Sequence, residues 1–209
     1  MTAEDSARLG GGLLGTEAGR RSLLQSIVEL TLSVFGAKAC SIMRFDAPAR
    51  ELVFEAVAGE GAGTLVGRRI PSNTGIAGWS LASEEAISID DVLSHPRFDR
   101  DVAEQTGYIP RKLTVYPLLY GERSLGVLNV LDPGAVAQLG LADMEVLSRF
   151  ASHAAMTLAT VEAARRAQAQ AGASDSPLAR VARTLDSLED AQRDAALAML
   201  DALERLLMS

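Results

Sequence analysis

Aromatic residues are scarce in this chain: one Trp, three Tyr and five Phe among 209 residues, although 48% of the residues are hydrophobic. Its core must therefore be filled largely by aliphatic side chains, and Trp79 becomes a landmark. A single cysteine, Cys40, excludes an intramolecular disulfide and fits a reducing compartment. Two histidines, His95 and His153, far apart and without companion ligands, argue against a bound metal. Basic residues are outnumbered, 20 against 27 acidic, for a formal charge of −7. Nucleic-acid recognition needs clustered Lys and Arg to neutralise phosphates, and no such cluster exists. Arg20-Arg21 and Arg165-Arg166 are isolated pairs, each expected on the solvated face of a helix. No apolar run approaches the roughly 20 residues that span a bilayer. The N-terminal residues carry no basic segment followed by an apolar stretch, so the expectation is a cytoplasmic protein without membrane or nucleic-acid partners.

What is present is periodicity. Residues 1–16, with Gly10-Gly11-Gly12 and little to bury, are expected to be disordered. Leu23, Leu24, Ile27, Val28, Thr31, Val34 and Phe35 recur at helical spacing and predict a helix from Glu17 to Phe35, with Gly36 as its stop. The runs 40–46 and 52–58 alternate with the two-residue rhythm of strands, joined by a connection of hairpin length. Residues 67–71 form a short extended piece, residues 75–82 a short helix capped by Ser72 or Asn73, and residues 86–90 another brief strand. After a polar segment with helical turns around residues 97–105, the runs 113–120 and 124–131 flank Gly121-Glu-Arg123 and make the clearest hairpin. Pro117 lacks an N–H and belongs at an edge, a bulge or a non-bonding position.

A helix from Leu141 to about Ala169 follows, with Leu147, Phe150, Ala151, Ala154, Leu158 and Val161 on one stripe. Residues 170–176 read as a linker, and residues 177–209 as an amphipathic helix opened by Ser176-Pro177. Leu178, Val181, Leu185 and Leu188 begin a heptad-like seam on it, which then shifts to Leu197, Leu200, Leu203 and Leu207. So much leucine requires cover, either from the same chain or from a second subunit. Strands grouped into hairpins between terminal helices predict an α+β domain with an antiparallel sheet and helices on one face.

No nucleophile, base and orienter come together along the chain, and no phosphate-cradling glycine loop is present, so the chain is expected not to be an enzyme. Cys40 lies in an apolar strand, where a free cysteine behaves as a small hydrophobe rather than a redox centre. His95 sits in a polar loop and His153 off the apolar stripe of its helix. Asp90, Asp91, Asp99 and Asp101 fit no EF-hand spacing and read as caps and turns.

The segments between residues 70 and 131 resemble the GAF domain family. Gly75-Ile-Ala-Gly-Trp79 is similar to its short helix, and Ile89-Asp-Asp-Val92 with His95-Pro-Arg-Phe98 to its "DV…DPRF" segment, with His95 where Asp is common. Tyr116-Pro-Leu118 and Gly126-Val-Leu-Asn-Val130 are similar to its paired "PL…GVL" strands, and the likeness spans roughly residues 17–165, within one domain of 17–169. The resemblance implies a six-stranded antiparallel sheet, the first and the long later helix on one face, a small-molecule cavity on the other, and an extra C-terminal helix.

By the same resemblance, the function is that of a sensory or regulatory module acting on a protein partner in trans, and the helices imply a homodimer. The candidate ligand-binding residues are Trp79, Asp91, Phe98, Tyr108, Thr114 and Tyr116, with no cofactor and no metal. The aromatics among them serve equally well as cavity wall or as plain core. Cyclic-nucleotide-binding members carry an Asn-Lys…Phe…Asp-Glu signature after the last strand. Here Asp132, Pro133, Leu139, Asp143 and Met144 stand at those places, and only Asp143 is retained. Two alternatives stay open: a dimerisation scaffold with a degenerate cavity, and a redox- or cyclic-nucleotide-responsive member.

Overall fold

A computed structural model describes residues 17–134 and 140–174. The expected N-terminal disorder and the helix expected over 177–209 lie outside these. The chain divides after Glu162 into two compact units.

The first unit opens with helix α1, Glu17–Phe35. Strands β1 (Ala39–Asp46), β2 (Glu51–Gly59) and β3 (Arg69–Pro71) follow, then helix α2 (Gly75–Ser83) and strand β4 (Ile87–Ile89). Helix α3 (Arg100–Thr106), the hairpin β5 (Leu113–Tyr120) and β6 (Arg123–Leu131), and helix α4 (Leu141–Ser174) as far as Glu162 complete the order; residues 163–174 of α4 belong to the second unit. The sheet runs β3-β2-β1-β6-β5-β4 with every pairing antiparallel. Its centre pairs β1 with the much later β6, so the two hairpins join edge to edge.

Both faces of the sheet are covered. Leu24, Val28 and Phe35 of α1 and Leu147, Ala154 and Leu158 of α4 share one cluster with Cys40, Ile42, Leu128 and Val130. Met43, Phe54, Val115 and Val127 face the other way, into a second cluster with Ile76 and Leu81 of α2. The two-residue side-chain period separates these sets along each strand. A bulge in β2 breaks the period: Ile42 pairs Ala56 while Met43 pairs Phe54, which leaves Glu55 as the extra residue.

Glu55 is buried on the α1 side, between two arginines. Arg44 Nε donates to it at 2.7 Å, and Arg20 Nη2 lies 3.0 Å away. Arg20 also pairs with Glu17. Arg20 therefore does not lie on a solvated face, as its place in an isolated basic pair suggested: only 4% of it is exposed. Its long stem covers apolar surface while the guanidinium reaches the carboxylates.

Two further expectations change. The residue capping α2 is Thr74, neither Ser72 nor Asn73, and its side chain makes no capping hydrogen bond. Helix α4 continues through residues 170–174, which were read as linker; the alanines and glutamine there are good helix formers. Among the described residues no helix is long and apolar enough to cross a membrane.

Candidate functional site

The face of the sheet away from α1 and α4 is roofed by α2, α3 and the segments that join them. Between roof and sheet lies a cavity of about 130 Å³. Met43, Phe54 and Val57 rise into it from the strands, and Ile76, Phe98 and Val102 close it from the roof. Asp99 shapes that roof: its carboxylate accepts from the backbone N–H of Val102 at 3.0 Å and so caps α3.

Two polar side chains stand in this apolar setting. Ser41 of β1 and Asn129 of β6 are register partners on the cavity side, each 6% exposed. Asn129 Nδ2 donates to Ser41 Oγ at 3.1 Å. Each reads as an incidental polar residue within its own strand, so only the pairing of β1 with β6 reveals them as neighbours. The remaining polar lining includes Glu60, Thr74, Thr106 and Tyr108 near the edges.

The six candidates from the sequence separate into distinct places. Phe98 and Tyr108 line the cavity. The Tyr108 hydroxyl donates to Asp132, whose carboxylate also accepts from the backbone N–H groups of Arg111 (2.9 Å) and Lys112 (2.7 Å). Burial first, then the adjacent carboxylate, raises the Tyr108 hydroxyl above its ordinary pKa. Asp132 thus ties the mouth of the cavity to the end of β6, a role that no motif in the sequence announced.

Thr114 and Tyr116 lie on the opposite face of the sheet. Thr114 pairs its hydroxyl with that of Ser88 at 3.0 Å. Tyr116 belongs to the helix-side cluster, and its hydroxyl donates to the Met144 carbonyl at 3.1 Å. Asp91 is exposed, and its backbone carbonyl accepts from Ser94 Oγ. None of these three is among the residues that line the cavity.

Trp79 packs on the cavity-side cluster without reaching the cavity. Its ring stacks on His95, centroids 5.9 Å apart, and the Arg97 guanidinium lies 5.1 Å from its centroid. His95 is accordingly half-buried rather than a free loop residue. The stack fastens α2 to residues 95–97, just before Phe98 enters the cavity wall. His153 is exposed on α4, and among the described residues no cluster of His, Cys, Asp or Glu could hold a metal ion.

Comparison with known proteins agrees with this architecture. The model of the GAF domain matches residues 19–158. The cone cGMP-specific 3',5'-cyclic phosphodiesterase subunit alpha' of Mus musculus is 29% identical over 112 residues, 54% of this chain but 11% of that protein. This chain therefore spans only about a tenth of that relative's length. Among solved structures, the GAF domain of a phosphoenolpyruvate-protein phosphotransferase from Coxiella burnetii superposes with a TM-score of 0.63 at 22% identity, covering 69% of this chain and 84% of that one. The free methionine-R-sulfoxide reductase from Neisseria meningitidis, solved in complex with its substrate, gives 0.57 at 23% identity, covering 74% and 86%. With the sheet order, the shared helix face and the family match all in agreement, the chain belongs to the GAF domain family, a family of regulatory and sensory modules.

Proposed function

We propose that this chain is a non-enzymatic regulatory module that binds a small molecule in the cavity between the sheet and α2–α3. The observation that carries this reading is the cavity itself: about 130 Å³, walled by aliphatic and aromatic side chains, with a buried polar pair on its floor. Ligand sites have this character, mostly apolar with few placed polar groups. A degenerate cavity filled by its own side chains would have no such volume. Occupancy would act through α2 and the 95–99 segment, which the Trp79 stack holds together. A ligand shifts such an arrangement only by binding two states with different affinity.

The test is thermal unfolding of the full chain against a panel of small metabolites. A binder present at a hundredfold its Kd adds about 2.7 kcal/mol of stability and raises Tm. No shift with any compound at millimolar concentration would overturn the reading.

A second reading concerns assembly, and one observation favours it. Leu23, Leu30 and Val34 of α1 are 39%, 55% and 58% exposed and, with Ile27, follow a four-three-four spacing. That is the seam of a helix pairing with another. A homodimer through α1 would cover it, and the signal would pass to a protein partner in trans from a cytoplasmic module. Light scattering should then give twice the mass of 22.0 kDa, and Leu30→Glu should return the monomer. A monomer at tens of micromolar for the unaltered chain would refute it.

A further inference from the structure

We propose that the occupant of the cavity is an uncharged single-ring molecule with an amide edge, an N–H beside a C=O, of the lactam, ureide or pyrimidine-base type, read by Asn129 and Ser41. This rests on the cavity reading above and adds the chemistry of what enters it.

Size comes first. The cavity, at about 130 Å³, is comparable to apolar cavities of roughly 150 Å³ that accept benzene. One six-membered ring fits.

Charge comes next. Among the described residues the charged side chains of the lining are Glu60 and Asp99, and it includes no Lys, Arg or His. An anion brought there would lose its hydration without gaining a cation. The N-terminal turn of α2 also borders the cavity through Thr74, Gly75, Ile76 and Ala77, and a helix start attracts anions. The acidic side chain of Asp99 already stands beside it, its Cβ 3.7 Å from where a Cβ on Gly75 would lie, while its carboxylate caps α3. Phosphorylated or carboxylated ligands are disfavoured on both counts.

Hydrogen bonding then selects among neutral rings. Asn129 Nδ2 spends one of its two hydrogens on Ser41 Oγ. Its second N–H and its Oδ1 have no other partner among the described residues, and the Ser41 hydroxyl is left able to donate. A side-chain amide presents a donor and an acceptor side by side, the arrangement with which Asn reads the edge of a base. A ligand edge of N–H beside C=O complements it with two bonds. A hydrocarbon ring would leave a buried carbonyl oxygen unpaired and so bind more weakly.

Isothermal titration of the full chain with four probes tests this: 4-methyl-2-pyridone, its equal-volume isomer N-methyl-2-pyridone, toluene, and uridine 5'-monophosphate. The expected result is binding of 4-methyl-2-pyridone at least about tenfold tighter than the N-methylated isomer, since a site built for an N–H rejects its absence, with no binding of the nucleotide. Asn129→Leu should abolish the preference between the isomers while leaving toluene binding in place, and Ser41→Ala should weaken 4-methyl-2-pyridone less. Equal affinities for the two pyridones, or binding of toluene alone, overturns the amide-edge proposal and leaves the cavity reading intact. Tighter binding of the nucleotide overturns the proposal as well. Failure of every probe, toluene included, overturns both. If Asn129→Leu does not fold, the isomer pair on the unaltered chain decides.

Discussion

Arg20 and Glu55 stand 3.0 Å apart with side chains only 4% and 6% exposed, a buried ion pair that joins α1 to the bulge of β2. Glu55 is shared with Arg44 at 2.7 Å, so its carboxylate serves two guanidiniums, of which Arg20 also pairs with the partly exposed Glu17. Burial lowers the pKa of Arg20 and Glu55 opposes that shift; the group stays charged at any ordinary pH. Removing the carboxylate leaves Arg44 without its Glu55 ion pair and Arg20 with Glu17 alone, in a largely buried site. Glu55→Ala should therefore destabilise by about 3–5 kcal/mol. Arg20→Met is milder, about 1–3 kcal/mol: Glu55 keeps Arg44, and a buried Nε that has no partner among the described residues disappears. Urea unfolding of the two variants reads the order directly, and a larger loss from Arg20→Met would contradict this account.

The two faces of the sheet make opposite demands on Phe98 and Tyr116. Phe98 walls the cavity, whereas Tyr116 is buried under α4 with its hydroxyl on the Met144 carbonyl. Tyr116→Phe should cost about 1 kcal/mol of stability, the worth of one hydrogen bond, and leave the affinity for a cavity probe such as toluene unchanged. Phe98→Ala should change that affinity several-fold, because it alters the volume the probe fills. Titration calorimetry on both variants decides, and an equal effect of the two on probe binding would mean that the faces have been misjudged.

Most of the element order was legible in the sequence because helical and strand periods differ so plainly in residues 17–131. The faces were harder. In β5, Leu113, Val115 and Pro117 point one way and Thr114, Tyr116 and Leu118 the other, yet both sets are substantially buried. A sheet covered on both sides loses the polar–apolar contrast that tells inside from outside. Scarce aromatics then drew attention to Trp79 and Tyr116, although neither lines the cavity. The Ser41–Asn129 pair stayed hidden because 88 residues separate its members and each looks incidental within its own strand. The bulge at Glu55 was equally silent, since a charged residue within 52–58 reads as the outward member of an alternating strand rather than as an insertion.

Cys40 offers a titration with a definite sign. The side chain is fully buried, and burial pushes its thiol from the ordinary value up to about 12. The unfolded thiol ionises first as pH rises, near 8.5. A raised folded pKa therefore means that this contribution to stability is intact below that point and is lost progressively as pH climbs toward about 12. Unfolding free energies of the unaltered chain and of Cys40→Ala should run parallel up to pH 8 and converge above pH 9. The thiolate is the reactive species, so a disulfide reagent at pH 8 should label Cys40 only after denaturant is added. Rapid labelling of the native protein would revive the redox-responsive alternative.

Gly126 is where the centre of the sheet is most exacting. It pairs with Arg44 across β1 and β6 at a φ of 155°, and a Cβ there would stand 2.0 Å from the Met43 carbonyl oxygen. Backbone, unlike a flexible side chain, cannot step aside, so Gly126→Ala must part the two strands that hold the hairpins together. Its cost should reach the exceptional range of about 4–5 kcal/mol. Gly107 provides the control: its φ of 79° is also left-handed, but nothing lies within 4 Å of an added Cβ. Gly107→Ala should cost only the backbone strain of that conformation, about 1–2 kcal/mol. Thermal melts followed by circular dichroism separate a clash from strain alone. Equal losses at the two positions would mean that β1 and β6 yield where this pairing requires them to be rigid.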